Sequence, residues 1–371
     1  MDWQNVVAVI VERYIPDPQV ARTVLAEIKG DRRPLKPPRQ DNRIAFRAIR
    51  EVQPGAKLRH LYAQRWPAYR EWYLRDGERA RPTLDEASTA LKTHMPELFP
   101  VWSRVVDAVG ADELGARMLT MYDPPPLLSG CSQAALPGEP VLVRNYDYDV
   151  DLFDGVVTET QLTGRRVIGM SDQLWGLLDG VNETGLTVSF TFGGRRNIGR
   201  GFSIPLVIRY ILESCKTVDE GIAVLRRIPL QAAYNVTLLD RRGRYATAWA
   251  APGEPTEVTR RRATTNHQGG VAWPEHAQWT RSVERLNHLE TLLEQSREGS
   301  TDLIDAMLES PMRTTRYDEG FGTLYTAVYR PGAGTVEYRW PGAVWRHSFE
   351  TFREETFVVR TANGKATPAP A

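Results

Sequence analysis

The chain contains little cysteine, with only Cys131 and Cys215 among its 371 residues. This excludes a disulfide-rich scaffold and suits a reducing compartment. The net charge is also low, at +1, so no global field attracts the chain to nucleic acid or to a membrane. No apolar run reaches the roughly 18 residues that a membrane-spanning helix needs. We therefore expect a cytoplasmic protein without nucleic-acid or membrane partners.

Several common site patterns are missing as well. No histidine has the spacing to Cys or a carboxylate that ligates a metal, and there is no Gly-x-Ser-x-Gly elbow of an α/β-hydrolase. The glycines at 193–201 match neither a Walker loop nor a dinucleotide-binding loop. The first apolar run lacks a basic leader and ends at Glu12, so we expect no signal peptide. The sequence predicts neither a metal nor a cofactor.

The residues that are present divide the chain in two. Residues 1 to about 120 have helical character, with a capping box at Thr83 and Glu86. After the stretch Asp123–Pro126 come many short strands with helices between them. This order predicts an α+β fold in which helices pack on stacked antiparallel sheets. The small, proline-rich residues 361–371 are expected to form a disordered tail.

A single thiol stands out at the start of the strand-rich region. Gly130 and Cys131 precede a Pro-Gly turn at 137–138, and Arg144 and Asp147 follow it. The turn predicts a β-hairpin that brings Arg144 and Asp147 close to Cys131. A thiol becomes reactive beside a cation or a base. Cys215 lies on an apolar helix without such neighbours, so we interpret it as a core residue.

Two asparagines are further candidates. Asn182 lies in a turn before a strand and either shapes that turn or donates its amide to an oxyanion. Asn266 is a second possible amide donor, and the adjacent His267 is either a base or a bystander. The acidic run from Asp147 to Asp154 has an alternative interpretation as a calcium site.

Taken in this order, the motifs resemble the isopenicillin N acyltransferase family, also called the acyl-CoA:6-aminopenicillanic acid acyltransferase family, of self-processing N-terminal-nucleophile (Ntn) hydrolases. They are more distantly similar to bile-salt hydrolases and penicillin V acylases. The resemblance extends over nearly the whole chain and includes the stretch His94–Leu98 ahead of the processing site. It implies a four-layer αββα catalytic domain at 131–360. A mainly helical segment 1–130 would become the α-chain and stay bound to the β-chain after self-cleavage.

The resemblance also implies roles for the hairpin residues. Cys131 would attack the Gly130 carbonyl first and the substrate later. Its freed α-amine, with a pKa near 8, would serve as the base. Arg144 and Asp147 would orient the thiol and the amine.

Three further roles are implied outside the hairpin. Asn182 and Asn266 would stabilise the oxyanion and the amine. Bile-salt hydrolases carry another arginine on a helix after the second asparagine, and Arg281 lies in a comparable place.

The function that follows is that of a self-processing cysteine acyltransferase or amidohydrolase. It would form an acyl-Cys131 intermediate from a small amide or acyl thioester and pass the acyl group to an amine or to water. One alternative is an unprocessed protein of the same fold, with a relict site, that only binds ligands. Another is a thiol redox sensor that uses Cys131 and Cys215.

Overall fold

The computed structural model describes residues 43–295 and 302–360, together with the backbone of 367–369; the Asp318 side chain is not included. The helices of this part of the chain are α1 (Ala56–Tyr73), α2 (Leu84–His94), α3 (Phe99–Val109), α4 (Glu113–Leu119), α5 (Ile204–Ser214), α6 (Val218–Arg227), α7 (Pro274–Trp279), α8 (Ser282–Gln295) and α9 (Asp302–Ala306). None of these helices is long and apolar enough to cross a membrane.

The strands of the same residues form two sheets. They are β1 (Arg43–Arg50), β2 (Gly130–Ala135), β3 (Leu142–Tyr148), β4 (Val156–Thr160), β5 (Val167–Asp172), β6 (Gly176–Asn182), β7 (Leu186–Phe192), β8 (Tyr234–Asp240), β9 (Tyr245–Ala250), β10 (Glu257–Thr259), β11 (Ala263–Thr264), β12 (Thr315–Arg316), β13 (Phe321–Arg330), β14 (Thr335–Trp340), β15 (Ala343–Ser348), β16 (Glu355–Arg360) and β17 (Thr367–Ala369).

The larger sheet has the order β10-β9-β8-β7-β6-β5-β4-β1-β16-β17, and the smaller has the order β11-β2-β3-β13-β14-β15 with β12 beside β13. The pairs are antiparallel apart from β1 and β4, which run parallel. β17 lies within the tail that we expected to be disordered, and it pairs with β16. The rest of that tail lies outside the described residues.

Side chains between the two sheets tie them together. Gln133 of the small sheet donates to Thr237 of the large sheet at 2.8 Å. Arg144 of β3 donates to the Leu178 carbonyl of β6 at 2.7 Å. The two sheets therefore face each other across one core.

Helices cover both outer faces. α5 and α6 pack on the large sheet. α5 is almost entirely buried, since each residue from Ile204 to Glu213 is shielded from solvent. α8 and α9 pack on the small sheet around a separate apolar cluster that includes Val143, Leu289 and Leu303. The result is the four-layer αββα arrangement, and the α+β prediction is confirmed.

The described part of the N-terminal segment is mainly helical, as predicted, and it also contributes one strand that the sequence analysis did not predict. β1 lies inside the large sheet between β4 and β16. Its buried residues Ile44, Phe46 and Ala48 alternate with more exposed ones, the period of a strand with one face on the core. The helical prediction for α1 to α4 is confirmed, including the Thr83–Glu86 capping box. Residues 1–42 lie outside the described part.

The position of β1 gives a stability prediction. Phe46 is fully buried, and its ring lies 4.8 Å from that of Trp340 and 5.6 Å from that of Phe153. We expect Phe46→Ala to lower the free energy of unfolding by about 3–5 kcal/mol, because it leaves a cavity between the sheets. Val52→Ala is the control, since Val52 is 52% exposed. Denaturant unfolding of both variants measures this, and equal losses would contradict a core role for β1.

Candidate active site

The hairpin predicted around Cys131 is confirmed. β2 and β3 pair antiparallel, with Cys131 opposite Tyr146 and Gln133 opposite Arg144. The turn closes through a Leu136 N–H bond to the Val141 carbonyl at 2.9 Å, and Gly138 adopts a φ of 76°. Glycine suits this left-handed position because it has no Cβ to clash. This pairing fixes which side chains can reach the thiol.

The Cys131 thiol lies between the two sheets and is fully buried. The Arg144 Nη2 lies 3.4 Å from its Sγ, and the Ser129 Oγ lies 3.6 Å away. A thiol next to a guanidinium is in the electropositive setting that favours a reactive thiolate.

Asp147 points away from the thiol, to the other face of β3. Residues 144 and 147 are three positions apart, and side chains along a strand alternate between faces. Arg144 contacts the large sheet, whereas the Asp147 carboxylate accepts from Arg285 of α8 at 2.8 Å. It also accepts from the Thr323 hydroxyl at 2.6 Å. The two hairpin residues therefore serve different sides of the site.

The backbone nitrogen of Cys131 is connected to the group of residues that surrounds Asp147. It donates to the Asn266 Oδ1 at 3.0 Å, just beyond the end of β11. The same Oδ1 accepts from the Arg285 Nη2 at 2.7 Å. A chain of contacts thus runs from the Cys131 nitrogen through Asn266 and Arg285 to Asp147. Asp147 is thus connected to the Cys131 nitrogen through two other side chains.

Burial shifts the pKa values along this chain. Burial raises the pKa of Asp147, although Arg285 and the Thr323 hydroxyl oppose the rise. Burial lowers the pKa of Arg285, opposed by Asp147 and Cys131. A buried pair of this kind is costly to break, because the remaining charge has no partner. Asp147 and Arg285 therefore depend on each other.

Ser282 and His267 lie behind Asn266 and hold it in place. Its backbone N–H donates to the Ser282 Oγ at 2.8 Å, and the His267 Nδ1 lies 2.7 Å from the same oxygen. Burial, followed by Arg261 and Arg285, lowers the pKa of His267. His267 touches Ser282 and is not in contact with the thiol, so the geometry supports a positioning role over that of a base.

Gly130 fits its position because it has no side chain. A Cβ there would lie 2.2 Å from the Phe321 ring. The residues just before it are also enclosed, with Pro124–Leu127 buried and the Leu127 carbonyl accepting from the Tyr234 hydroxyl at 3.0 Å. The chain upstream of Cys131 therefore closes the site.

Two predicted site residues lie elsewhere. The Asn182 amide donates to the carbonyls of Leu212 and Cys215 at 2.9 and 2.8 Å, and its Oδ1 accepts within its own turn. It lies at the end of β6 and its described hydrogen bonds are those of a turn residue, which favours the turn interpretation over the oxyanion one.

Arg281 is the second of these residues. It is exposed and pairs with Glu284 at 2.6 Å at the kink before α8. Arg285, one helical turn later, occupies the site in its place. A signal for this was present, because Ser282, Arg285 and Leu289 form the buried stripe of α8 and only one of the three carries a charge.

The structure also shows where the residues of two alternatives lie, namely those of the calcium site and those of the redox sensor. Within the acidic run, Asp149 caps a short 3₁₀ turn and Asp154 accepts from Tyr69, so these carboxylates point to different partners. Among the described residues no group of three or more His, Cys, Asp or Glu side chains is arranged to hold a metal. Cys215 follows α5 outside the large sheet, whereas Cys131 lies between the sheets; burial raises the pKa of Cys215 to about 11.

Similar solved structures include a conjugated bile acid hydrolase variant from Clostridium perfringens (11% identity, 61% of this chain and 96% of that one, TM-score 0.43). Others are penicillin V acylase from Agrobacterium tumefaciens (12%, 63% and 92%, 0.42) and the Caenorhabditis elegans N-acylethanolamine-hydrolyzing acid amidase ortholog (17%, 62% and 98%, 0.40). No sequence of a curated protein matches the chain.

The family model for acyl-coenzyme A:6-aminopenicillanic acid acyl-transferase matches residues 135–345. The matched range begins just after Cys131 and contains Arg144, Asp147, Asn266 and Arg285. It spans more than half of the chain, and the chain therefore belongs to the acyl-coenzyme A:6-aminopenicillanic acid acyl-transferase family.

Proposed function

We propose that this protein is a self-processing cysteine amidase or acyltransferase with Cys131 as its nucleophile. The observation that carries the proposal is the arrangement of Cys131 itself. Its sulfur lies beside one cation, Arg144, while its nitrogen is held by an amide oxygen at the end of a buried ion pair. An enzyme that uses both atoms of one residue needs such separate environments.

The first step of the proposal is cleavage before Cys131. The sulfur attacks the Gly130 carbonyl carbon, the C–N bond breaks, and the thiol proton passes to the leaving nitrogen. Water then hydrolyses the thioester, which leaves a carboxylate on Gly130 and a free amine on Cys131. The Asn266 Oδ1 already accepts from that nitrogen in the intact chain, so the new amine has a hydrogen-bond acceptor as soon as it forms.

In the second step the amine acts as the base. It takes the thiol proton as the sulfur attacks the acyl carbon of the substrate, and it returns the proton to the leaving group. The acyl group is then on Cys131, from which water or an amine removes it. The family description favours an acyl thioester as donor, and an amide is attacked by the same chemistry. The substrate class is therefore a small amide or acyl thioester.

Asn266 also supplies an amide for the transition state. Its Nδ2 donates to the carbonyls of Ser129 and Phe192, at 3.3 and 3.2 Å. Ser129 belongs to the segment upstream of the cleavage site. When that segment moves away, one N–H of Asn266 is free to bind the oxyanion that develops beside Cys131. The same movement exposes the sulfur, which is fully buried in the intact chain.

The fold supports the expectation that the two products stay together. β1 belongs to the upstream product and lies between β4 and β16 of the downstream product. Separation would break backbone pairing on both edges of β1 and expose Phe46. In this proposal the N-terminal product is a permanent part of the enzyme.

Self-cleavage itself gives the first functional prediction. We expect the purified protein to give two bands on a denaturing gel, with the larger fragment covering residues 131–371 and starting at Cys131. Cys131→Ala should remain a single chain, because no sulfur is available to attack Gly130. Intact mass and N-terminal sequencing measure this. Cys215→Ala is the control and should be cut like the parent. An uncut parent would instead support the alternative of a binding protein with a relict site.

The second functional prediction concerns Asn266. We expect Asn266→Ala to lower the rate of acylation about 10²–10³-fold, because one oxyanion donor is lost. Asn145→Ala is the matched control, since Asn145 is an equally buried amide that binds the carbonyls of Met307 and Met312. Both variants should lose about 1–3 kcal/mol of stability, the cost of buried groups left unpaired. Thermal midpoints and acyl-enzyme formation by mass spectrometry separate the two effects, and equal activity losses would contradict a role for Asn266 in the reaction.

The third functional prediction compares two aspartates. We expect Asp147→Asn to block processing and turnover, because it leaves the Arg285 charge without its partner and disturbs the hold on Asn266. Asp149→Asn should retain both activities, since Asp149 caps the short 3₁₀ turn after β3 by accepting from the Asp151 N–H at 2.9 Å, a contact that an asparagine oxygen keeps. Gel analysis and substrate turnover measure the difference. Equal sensitivity of the two positions, or inactivation by a chelator, would favour the calcium-site alternative.

A further inference from the structure

A second carboxylate, Asp179, contacts Arg144 and is fully buried. It belongs to β6 of the large sheet and forms an ion pair with the Arg144 Nη1 of the small sheet. The Arg144 guanidinium therefore has Asp179 on one nitrogen and the Cys131 sulfur on the other. Neither step of the proposed reaction uses Asp179.

Two tyrosines hold Asp179 in place. The Tyr325 hydroxyl donates to its Oδ2 at 2.6 Å, and the Tyr329 hydroxyl donates to its Oδ1. All three side chains are fully buried. A carboxylate with two hydroxyl donors and a guanidinium is satisfied as an anion, which is the condition for burying a charge at low cost.

Arg144 is fixed just as firmly. Its guanidinium lies 4.8 Å from the Tyr146 ring centre and 5.1 Å from that of Phe190, and its Nη1 also donates to the Leu178 carbonyl. Burial acts to lower the pKa of Arg144, but Tyr325, Cys131 and Asp179 together raise it well above its ordinary value. The cation beside the sulfur is therefore permanent.

A permanent cation at 3.4 Å would favour a thiolate at rest unless its charge were balanced. We propose that Asp179 is a positioning residue, which holds Arg144 against the Cys131 sulfur and balances its charge so that the resting thiol keeps its proton. This inference rests on the proposed function, in which the thiol gives its proton to the α-amine during attack. If Asp179 did not balance the Arg144 charge, the site would hold a thiolate and a protonated amine. The amine could then no longer accept the thiol proton during attack.

The charged groups that interact with the sulfur or with Arg144 come from four elements. Arg144 lies on β3, Asp179 on β6, Asp172 at the end of β5 and Arg285 on α8, and Arg285 interacts with Cys131 electrostatically. Tyr146 pairs with Cys131 across the hairpin, and burial raises the pKa of its hydroxyl well above the ordinary value. Asp179 is thus the carboxylate that directly contacts the cation at the sulfur.

The test follows the ionisation of Cys131 by the ultraviolet absorbance of its thiolate, taken as a difference from the Cys131→Ala protein. Parent and variants are compared in the same form, cut or uncut, as intact mass identifies it. We expect Asp179→Asn to move the midpoint of this titration to lower pH by about one unit or more, because the Arg144 charge is no longer balanced. Arg144→Gln should move it to higher pH. A midpoint that is unchanged or higher in Asp179→Asn would overturn the inference.

Asp172→Asn is the matched control. Asp172 is a buried carboxylate at the end of β5, and burial, followed by Asp154, raises its pKa well above the ordinary value. Among the described contacts of Arg144, none is a hydrogen bond or an ion pair with Asp172, so this replacement leaves the Arg144–Asp179 pair intact. We expect the thiolate midpoint of this variant to stay closer to that of the parent than the midpoint of Asp179→Asn does. A shift as large as that of Asp179→Asn would overturn the specific role of Asp179.

The double variant covers the case in which Asp179→Asn does not fold. Arg144→Gln with Asp179→Asn removes both members of the ion pair, so no unpaired charge is buried. Its midpoint should lie below that of Arg144→Gln alone, and equal midpoints would overturn the inference. The thiol titrates whether or not the chain is cut. An uncut protein that shows the expected shifts would therefore refute the proposed function and leave this inference standing.

Discussion

The candidate site is organised by one feature, which is that the sulfur and the nitrogen of a single residue, Cys131, lie in different surroundings. Cys131 lies at the start of β2, where its side chain points between the sheets and its N–H points past the end of β11. Arg144 and Asp147, on the neighbouring strand, face opposite ways for the same geometric reason. The two arms of the site, Arg144–Asp179 and Asn266–Arg285–Asp147, are therefore separated by the sheet itself.

Each arm buries an ion pair, and each pair joins two layers of the fold. Arg144 and Asp179 connect the small sheet to the large one, while Asp147 and Arg285 connect the small sheet to α8. Buried ion pairs add little net stability but are costly to break. They therefore fix the position in which one layer packs against the next. The position of the thiol is set by the same contacts that align the four layers.

The sequence predicted the local parts of this site and missed the contacts between distant segments. The hairpin followed from a Pro-Gly turn, and Arg144 and Asp147 followed from the hairpin, because those residues are neighbours in the chain. Asn182 was named as a candidate because a turn asparagine and an oxyanion asparagine look alike in sequence, and only the contact with Leu212 separates them. Arg281 was named because it follows the second asparagine at a place comparable to that of the bile-salt hydrolase arginine, and which arginine of this helix faces the site depends on how the helix packs on the small sheet.

The strand β1 was missed for a related reason. Its residues Arg43–Arg50 carry three arginines, and alternation over eight residues is a short signal. What makes it a strand is the pair of edges that β4 and β16 provide, more than 100 and 300 residues away in the chain. This long-range pairing also bears on the proposed cleavage site, because β1 and β2 lie in different sheets and the chain between them leads up to Gly130. The chain upstream of Gly130 is thus held at one end by the large sheet and at the other by its bond to Cys131. The proposed cut would release only the second end.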